Sequence, residues 1–395
     1  MITSNKALEI VLNNIIDLGV EEIDLEAAIS RVLGEKIYAD RDFPPFDRVC
    51  MDGIAINYKS FEQGQRFFKV EKVGAAGSVQ QVLEDNSNCI EIMTGAPLPL
   101  NTTTIIRFED LEEKEGGYEI LVEVLDKKNI HLKGKDHKEN TLLLDLNHPI
   151  KAIDVNVLAT VGQSKVKVKK MPRIAVVSSG EELVPVGKVP ANHQIRRSNV
   201  HMLIAKLKQL GVEADAFHVQ DDVQVIHEEL TTIFETHDVL LLSGGVSKGK
   251  FDYIPHVLEM LNVQKLFHRV KQRPGKPFWF GRKADKIVFA FPGNPVSSLA
   301  CFHKYFIPWL HKTIGQGELK HQQVRLAEEI VFKPDLTYFA QAKIQYEDDG
   351  TTTATISHGN GSGDMVNPTQ MDGFVELNSQ QSVFKVGTVV PFIPF

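Results

Sequence analysis

Three glycine-containing turns in the second half of the chain have the composition of an anion-binding site. They are SGGVSKGKFDY (residues 243–253), RPGKP (273–277) and FPGNPVSS (291–298). Each turn follows or abuts a short apolar run, and glycine lets backbone N–H groups approach an anion closely. This part of the sequence therefore predicts a site for phosphate or another oxyanion.

The last of the three turns gives the sharpest prediction. The run IVFAF (287–291) is typical of a buried strand, Asn294 suits a helix N-cap, Pro295 suits the first helical position, and the apolar run to Leu310 predicts a helix. A strand that leads through a glycine turn into a helix N-terminus forms an anion site. A hydroxyl of Ser297 or Ser298 could add a hydrogen bond.

Basic side chains accompany these turns. Lys276 stands between Gly275 and Pro277 in RPGKP, and Arg273 and Lys271 precede it closely. Because proline fixes its own φ angle and restricts the residue before it, the backbone at Lys276 has little freedom. Lys276 is a candidate anion ligand, and the alternative is a solvated loop lysine.

A second group of candidate residues is acidic or carries a hydroxyl, and most of it is far from the glycine turns in sequence. Singly, each of these carboxylates could cap a turn or favour a helix N-terminus. Together with phosphate-binding turns they suggest a site for Mg²⁺, which usually binds one or two carboxylates plus substrate phosphates. The members are Asp52 in FPPFDRVCMDG, Thr94 in MTGAPLP, Asp136 after Gly134, Glu181 and Glu182 after SSG, the pair Asp221 and Asp222, and Asp252.

The composition of the chain argues against several classes of protein. The formal net charge of −7 argues against general nucleic-acid binding, and the charged fraction of 24% is ordinary for a globular protein. No apolar run approaches the ~20 residues of a membrane span, and the first residues do not have the pattern of a signal peptide. Three widely spaced cysteines fit neither a disulfide framework nor a zinc site, so we expect a cytoplasmic protein.

Hydrophobic patterns divide the chain into three regions. Residues 1–170 begin with two helical patterns (4–18 and 25–33) and contain a β-rich subdomain at about 53–145. Residues 171–315 alternate strands and helices, which predicts a doubly wound parallel sheet with ligands at the carboxyl ends of its strands. Residues 316–395 contain only short strand patterns and predict a small β-domain.

Ten sequence blocks, in order along nearly the whole chain, resemble the molybdopterin molybdenumtransferase family (MoeA-type, which includes the catalytic domain of gephyrin). The blocks are PPFDRVCMDG, MTGAPLPLNTTTIIRFED, LKGKD, IAVVSSGEEL, QIRRSNVHML, GVEADAFHVQDD, LLLSGGVSKGKFDY, KQRPGKPFWFG, FPGNPVSSLACF and GSGDM. The resemblance implies a multi-domain fold with a doubly wound molybdopterin-binding domain and a C-terminal β-domain. It also implies a homodimer in which each site combines residues of both subunits.

The resemblance implies insertion of molybdenum from molybdate into adenylylated molybdopterin, with release of AMP and a requirement for Mg²⁺. A molybdopterin adenylyltransferase is the expected partner, and neither nucleic acid nor a membrane is expected. The implied catalytic residues are Asp52, Thr94, Asp136, Glu182, Asp222 and Asp252, of which Asp52, Glu182 and Asp252 would hold the metal. The implied cofactor-binding residues are Ser243, Gly244, Gly245, Ser247, Arg273, Lys276, Pro277, Gly293, Asn294, Pro295 and Ser297.

Two other functions compete with this interpretation. The adenylyltransferase that makes the adenylylated pterin shares the doubly wound domain, but it usually lacks the FPPFDRVCMDG region and the C-terminal β-domain. A non-catalytic scaffold would need added domains or long linkers, which this sequence does not contain. No Ser–His–Asp or Cys–His arrangement is suggested, so we expect catalysis without a covalent intermediate.

Overall fold

The structure, a computed structural model, describes residues 1–246 and 253–395. Its central layer is a six-stranded sheet whose first four strands are parallel and whose last two are antiparallel. In spatial order the strands are Ala214–Val219, Ile174–Ser179, Val239–Ser243, Lys286–Phe291, Trp279–Lys283 and Gln264–His268. The parallel part confirms the sequence-based prediction.

The antiparallel edge of this sheet was not predicted. Trp279–Lys283 and Lys286–Phe291 are joined by a two-residue turn in which Ala284 has a φ angle of 52°. So short a connection can only join antiparallel strands, since a parallel pair needs a crossover of a dozen or more residues.

Helices cover both faces of the central sheet. Alternate residues of the strand Ile174–Ser179 point to opposite faces, so Ile174 and Val176 pack in one hydrophobic cluster and Ala175 and Val177 in another. No helix within the described ranges combines the length and apolar character needed to cross a membrane. The helices are Asn199–Gln209, Val223–Thr236, Ile254–Met260, Pro295–Cys301 and Ile307–Thr313, the last two joined by a π-helical segment, Phe302–Phe306.

An aromatic cluster fixes this last helical run on the sheet. The ring centroid of Phe278 lies 4.8 Å from that of Tyr305 and 5.1 Å from that of Phe267. The first helix of the chain, Ser4–Leu12, contributes Ala7 and Val11 to the same core and ends earlier than the predicted residue 18. The start of the chain thus supports the central domain.

A second six-stranded sheet lies within the range of the predicted β-rich subdomain, whose bounds stay a prediction. In spatial order its strands are Thr104–Arg107, Gly53–Ile56, Asn88–Ile92, Phe67–Gly74, Gly117–Ile120 and Leu111–Lys114. The helix predicted for residues 25–33 is wrong apart from one 3₁₀ turn, Leu25–Ala27. Val32 and Leu33 are buried and form β-bridges to Pro149 and Val168, so long-range pairing overrides the local pattern.

Three small two-stranded sheets complete the N-terminal region. Each pairs a strand from the first 50 residues with one from residues 130–169, so this part of the chain folds back on itself. The pairs are Val20–Asp24 with Lys165–Lys169, Ile37–Tyr38 with Leu142–Leu144, and Arg48–Val49 with Ile130–His131; the helices here are Tyr58–Glu62 and Ala152–Thr160.

The C-terminal region is a closed β-barrel. Its strands are Thr337–Tyr346, Thr352–Ser357, Gln322–Leu326, Val389–Pro394 and Gly373–Leu377, and the last pairs with the first. The strand Val270–Arg273 adds to it in parallel, with Arg273 opposite Tyr338. The RPGKP turn therefore lies where the central domain meets the barrel. The exact division of the chain at residues 170 and 315 stays a prediction.

Candidate active site

Two adjoining cavities contain most of the predicted binding residues. The first, here called the basic cavity, has a volume of about 510 Å³ and is lined by Arg273, Lys276, Pro277, Asn294 and Ser297. The barrel contributes Tyr338, Gln341, His358 and Ser362 to its opposite wall. The sequence therefore identified the wall from the central domain and missed the wall from the barrel.

The second cavity, here called the glycine-loop cavity, has a volume of about 740 Å³. Six predicted residues line it, and Asn294 is shared with the basic cavity, so the two spaces adjoin. The six are Glu182, Ser243, Gly244, Gly293, Asn294 and Pro295.

Asn294 occupies the predicted N-cap position, with Pro295 as the first helical residue, but its side chain does not cap the helix. Its Nδ2 instead donates to Ser362 Oγ at 2.9 Å, and the N–H of Val296 donates to the Ser362 carbonyl at 3.1 Å. Ser362 belongs to the GSGDM block, so the barrel domain supplies the partner that the cap was expected to supply. The helix start is thereby attached to the opposite wall of the basic cavity.

The two serines of FPGNPVSS have different roles. Ser298 is buried, and its Oγ donates to the Pro292 carbonyl at 2.5 Å, which stabilises the turn. Ser297 is the serine that lines the basic cavity. Of the two alternatives, only Ser297 faces a space large enough for a ligand.

The RPGKP turn is packed tightly against the helical run that follows it. Gly275 has a φ angle of 87°, and a Cβ atom there would lie 2.7 Å from Cys301 Sγ and from Gln272 Nε2, so any other residue would be strained and would displace these side chains. The carbonyl of Lys276 accepts a hydrogen bond from Val270 N at 3.0 Å. These contacts hold the backbone of Lys276 in place at the cavity wall.

The basic side chains of this turn differ in their partners. Lys271 pairs with Asp335 at 2.7 Å and does not line the cavity. Within the described residues no carboxylate forms an ion pair with Lys276 or Arg273; the Arg273 guanidinium lies 5.9 Å from the Tyr338 ring centroid. Lys276 and Arg273 are thus the cations at this cavity whose charge is available to an oxyanion.

Asn199 was not among the predicted site residues, yet it ties the turns together. Its Nδ2 donates to Ser243 Oγ at 3.0 Å and to the Gly293 carbonyl at 2.7 Å. Asn199 lies in the block QIRRSNVHML, just after two arginines and at the start of a predicted helix. That position was the sequence signal that could have identified it. Arg197 and Ser178 also line the glycine-loop cavity and were also missed.

Gly244 and Gly245 adopt left-handed backbone conformations, with φ angles of 100° and 68°. A Cβ atom on Gly245 would lie 2.7 Å from Ile254 Cγ1 and 2.8 Å from Ser179 Oγ, so close packing also requires glycine there. Two predicted residues of the same loop, Ser247 and Asp252, lie outside the described residues.

Only some of the predicted acidic residues of the central domain lie at a cavity. Glu182 lines the glycine-loop cavity. Asp222 caps the helix Val223–Thr236, accepting hydrogen bonds from Gln224 N at 2.9 Å and Val225 N at 3.0 Å, and it lines neither cavity. Its half-buried neighbour Asp221 is the member of the pair near Glu181 and Glu182, and burial raises the pKa of its carboxyl.

Asp52 and Thr94 are brought together by the fold of the N-terminal region. Asp52 Oδ1 accepts hydrogen bonds from both the hydroxyl and the backbone N–H of Thr94, each at 2.6 Å. These bonds, the hydroxyl first, lower the pKa of the exposed Asp52 carboxyl. Asp136 is also exposed and bonds His131 Nε2 at 2.8 Å. Asp52, Thr94 and Asp136 line neither of the two cavities within one subunit.

The described residues contain no group of three or more His, Cys, Asp or Glu side chains that could hold a metal ion alone. Mg²⁺ bound to a nucleotide-like substrate does not need such a group, because phosphates and water supply most of its ligands. Glu182 lies on the cavity wall, and only Oδ1 of Asp52 accepts the bonds from Thr94. Both residues therefore have a carboxylate oxygen that suits this mode of cation binding.

Comparison with known proteins identifies the family of this chain. Residues 2–162 match the model of the MoeA N-terminal region (domain I and II), and residues 175–312 match a probable molybdopterin binding domain. The chain is 35% identical to a molybdopterin molybdenumtransferase of Synechocystis sp., over 99% of both chains. It is 31% identical to the protein of that name from Staphylococcus aureus, over 98% of this chain and 94% of the relative.

A solved structure has the same overall architecture. The crystal structure of a molybdopterin biosynthesis MoeA protein from Pyrococcus horikoshii superposes with a TM-score of 0.86 at 28% sequence identity, covering 100% of this chain and 99% of that one. Because the sequence relatives and this structure each match nearly the full length, the chain belongs to the molybdopterin molybdenumtransferase (MoeA) family.

Proposed function

We propose that this protein transfers molybdenum from molybdate into adenylylated molybdopterin, with release of AMP and formation of molybdenum cofactor. Family membership supports the reaction. The observation that carries the proposal for this chain is the pair of adjoining cavities that share Asn294. One presents a serine and two cations without an ion pair in the described part of the chain, which suit an oxyanion. The other presents glycine turns and a carboxylate, which suit a phosphorylated ligand with a cation.

The basic cavity is the proposed molybdate site. Lys276 and Arg273 would bind the dianion by charge, and Ser297 would donate a hydrogen bond. Because the turn and the helix start are fixed by packing, these groups need little rearrangement during the reaction. Preorganised charge of this kind is the usual source of rate acceleration where no covalent intermediate forms.

The glycine-loop cavity is the proposed site for the pterin phosphates. Backbone N–H groups of the turns at Gly244 and Gly293 can approach a phosphate closely, because no side chain intervenes. Asn199 holds both turns at fixed separation through its bonds to Ser243 and Gly293. The adenylylated pterin would thus present its phosphates beside the molybdate.

Magnesium dependence is part of the proposal. Glu182 and Asp252 would hold the cation together with the phosphates, and Asp52 would complete the site from a second subunit. Bound there, Mg²⁺ would offset the negative charge of the phosphoanhydride and let AMP leave. Asp52 suits this task because its hydrogen bonds from Thr94 keep the carboxyl ionised.

A homodimer with shared sites is the proposed assembly. Asp52, Thr94 and Asp136 line neither cavity of their own subunit, so a partner subunit that presents them to the cavities would complete the site. We further propose that the protein works in the cytoplasm and receives its substrate from a molybdopterin adenylyltransferase. Asp222, with its carboxyl engaged as a helix cap, would act through the position of its helix.

The reaction can be tested with purified protein and adenylylated molybdopterin. We expect AMP release to require molybdate and Mg²⁺ together, and we expect Asp52→Ala to abolish it. Asp85→Ala, an exposed carboxylate in the same region, is the matched control and should retain full activity. If the protein instead forms adenylylated molybdopterin from ATP and molybdopterin and consumes none, it acts as an adenylyltransferase and the proposal is wrong.

A further inference from the structure

A third cavity lies between the central domain and the barrel, apart from the two cavities already described. Its volume is about 320 Å³. The helix Asn199–Gln209 forms one side, the π-helical segment Phe302–Phe306 forms another, and the last barrel strand closes it with Ile393 and Pro394. We call it the interdomain cavity.

The charged side chains of this cavity are lysines. Lys206, His303, Lys320 and His321 all line it, whereas no Asp or Glu side chain does. The nearby carboxylate of Glu376 is already paired with Lys304 at 2.7 Å, and both of these side chains are largely buried. Burial lowers the pKa of both histidines, so the two lysines give the cavity its positive charge.

One of these groups, Lys206, has no charged partner in the described part of the chain. Lys206 is half-buried and forms no ion pair there. His303 is 5% exposed, and burial lowers its pKa to about 3, so it stays neutral and adds no charge to the cavity. A half-buried ammonium without a partner has lost hydration that nothing replaces, so a carboxylate that pairs with it gains an interaction that the free protein lacks.

The remaining walls are apolar and aromatic. Phe302, Leu210, Ile307 and Ile393 line the cavity, and the ring of Phe395 stands edge-on to that of His303 at 5.8 Å between centroids. Such walls favour a flat ring over a strongly hydrated ion such as phosphate or molybdate. The combination of cations and apolar walls defines the class of ligand.

The interdomain cavity is separate from the candidate active site. The helix Asn199–Gln209 starts at the glycine-loop cavity with Asn199 and reaches the interdomain cavity with Lys206, about 10 Å further along its axis. The helical run from Pro295 likewise starts at the active-site cavities and reaches the interdomain cavity at Phe302.

We propose that the interdomain cavity is a second ligand-binding site, which takes a small carboxylate attached to an apolar ring. The carboxylate binds Lys206, and the ring packs against Phe302 and Ile307. This binding is independent of the proposed metal insertion, because none of these residues lines the active-site cavities.

The probe for this site is 2-naphthoate, titrated into the full chain by isothermal calorimetry with saturating AMP present to occupy the active site. We expect saturable binding with a Kd below about 1 mM. Lys206→Gln should weaken it about tenfold or more, since a charge-assisted contact is lost. Lys208→Gln, a change of the same charge on the exposed face of the same helix, should leave it within about twofold.

A neutral analogue separates charge from simple apolar binding. We expect 2-naphthalenemethanol to bind at least about tenfold more weakly than the carboxylate. Absence of saturable 2-naphthoate binding at about 5 mM would overturn the proposal. Equal affinity of the alcohol and the acid, or unchanged binding in Lys206→Gln, would overturn it as well, because the cations would then have no role.

Discussion

At the scale of single residues, the pair Asp52 and Thr94 gives the clearest link between geometry and chemistry. Both hydrogen bonds from Thr94 fall on one oxygen of Asp52, and they lower the pKa of that carboxyl. The hydrogen bonds stabilise the charged form of the carboxyl. Their contribution to stability is therefore fully present above the ordinary pKa of about 3.8, and it is lost as the pH falls through the lowered pKa.

Thr94→Val should therefore raise the pKa of Asp52 by removing the hydroxyl bond. We expect the acid limb of the rate profile to move to higher pH, with a smaller change near neutrality. NMR titration of the Asp52 carboxyl measures the pKa directly. An unchanged pKa in the variant would show that the hydroxyl does not hold the carboxylate in solution.

The chain contains a matched control for this experiment. Asp85 accepts bonds from Ser87 N at 2.9 Å and Ser87 Oγ at 2.8 Å on one oxygen, and these bonds also lower its pKa. Ser87→Ala should raise the pKa of Asp85 without changing activity, since Asp85 lies outside the proposed site. Loss of activity in this control would mean that the region responds to such changes through its fold.

Lys276→Gln should raise the molybdate concentration needed for half-maximal rate by roughly ten- to a hundredfold, because a charge-assisted contact is worth about 1.5–3 kcal/mol. Binding of the pterin substrate should change less. The control is Lys271→Gln, which removes a neighbouring charge that is paired with Asp335 and does not line the cavity. An unchanged molybdate dependence with normal folding would identify Lys276 as a solvated loop residue.

At the scale of elements, the sequence predicted the central strands and most helices because their patterns are local. It did not predict the role of Asn294, since its partner Ser362 is far along the chain. It predicted a helix at residues 25–33 because local spacing does not reveal that Val32 and Leu33 form β-bridges to residues far along the chain. The misassigned elements are thus those whose hydrogen bonds are decided by tertiary contacts.

The π-helical segment makes a separate prediction about stability. Burial lowers the pKa of His303 to about 3. Folded protein therefore holds His303 neutral while unfolded chain protonates it below about 6.5, so this residue costs stability as the pH falls from about 6.5 toward the lowered value. The limiting slope is about 1.4 kcal/mol per pH unit for one proton.

His303→Gln should remove this contribution. We expect the midpoint of urea unfolding to fall less between pH 7.0 and pH 5.5 in this variant than in the wild type, as judged by circular dichroism. The exposed His201→Gln is the control and should behave like the wild type. Parallel pH dependence in His303→Gln and the wild type would show that His303 is not held neutral.

At the scale of the whole molecule, the proposed dimer with shared sites is open to a complementation test. Asp52 lies in the N-terminal region and Glu182 on the glycine-loop cavity, so the proposal assigns them to opposite subunits of each site. Heterodimers of Asp52→Ala and Glu182→Ala chains should regain part of the activity, because one of their two sites carries neither change. Verified heterodimers without activity would contradict shared sites.

For the whole molecule, the sequence predicted more than its hydrophobic periodicity alone provides. Periodicity predicted three regions, whereas the order of ten blocks predicted the family and the reaction. The meeting of the RPGKP turn with the barrel could not be predicted, because the parallel pairing of Arg273 with Tyr338 joins segments 65 residues apart in sequence. The wall of the basic cavity supplied by Tyr338, Gln341 and His358 follows from that pairing.

The most direct test of the proposed function measures molybdenum and AMP together in one experiment. Purified protein is given adenylylated molybdopterin, Mg²⁺ and molybdate, and both released AMP and pterin-bound molybdenum are quantified over time. The proposed function predicts that the two products appear together in equal amounts and that neither appears without molybdate. Release of AMP with no molybdenum in the pterin product would contradict it.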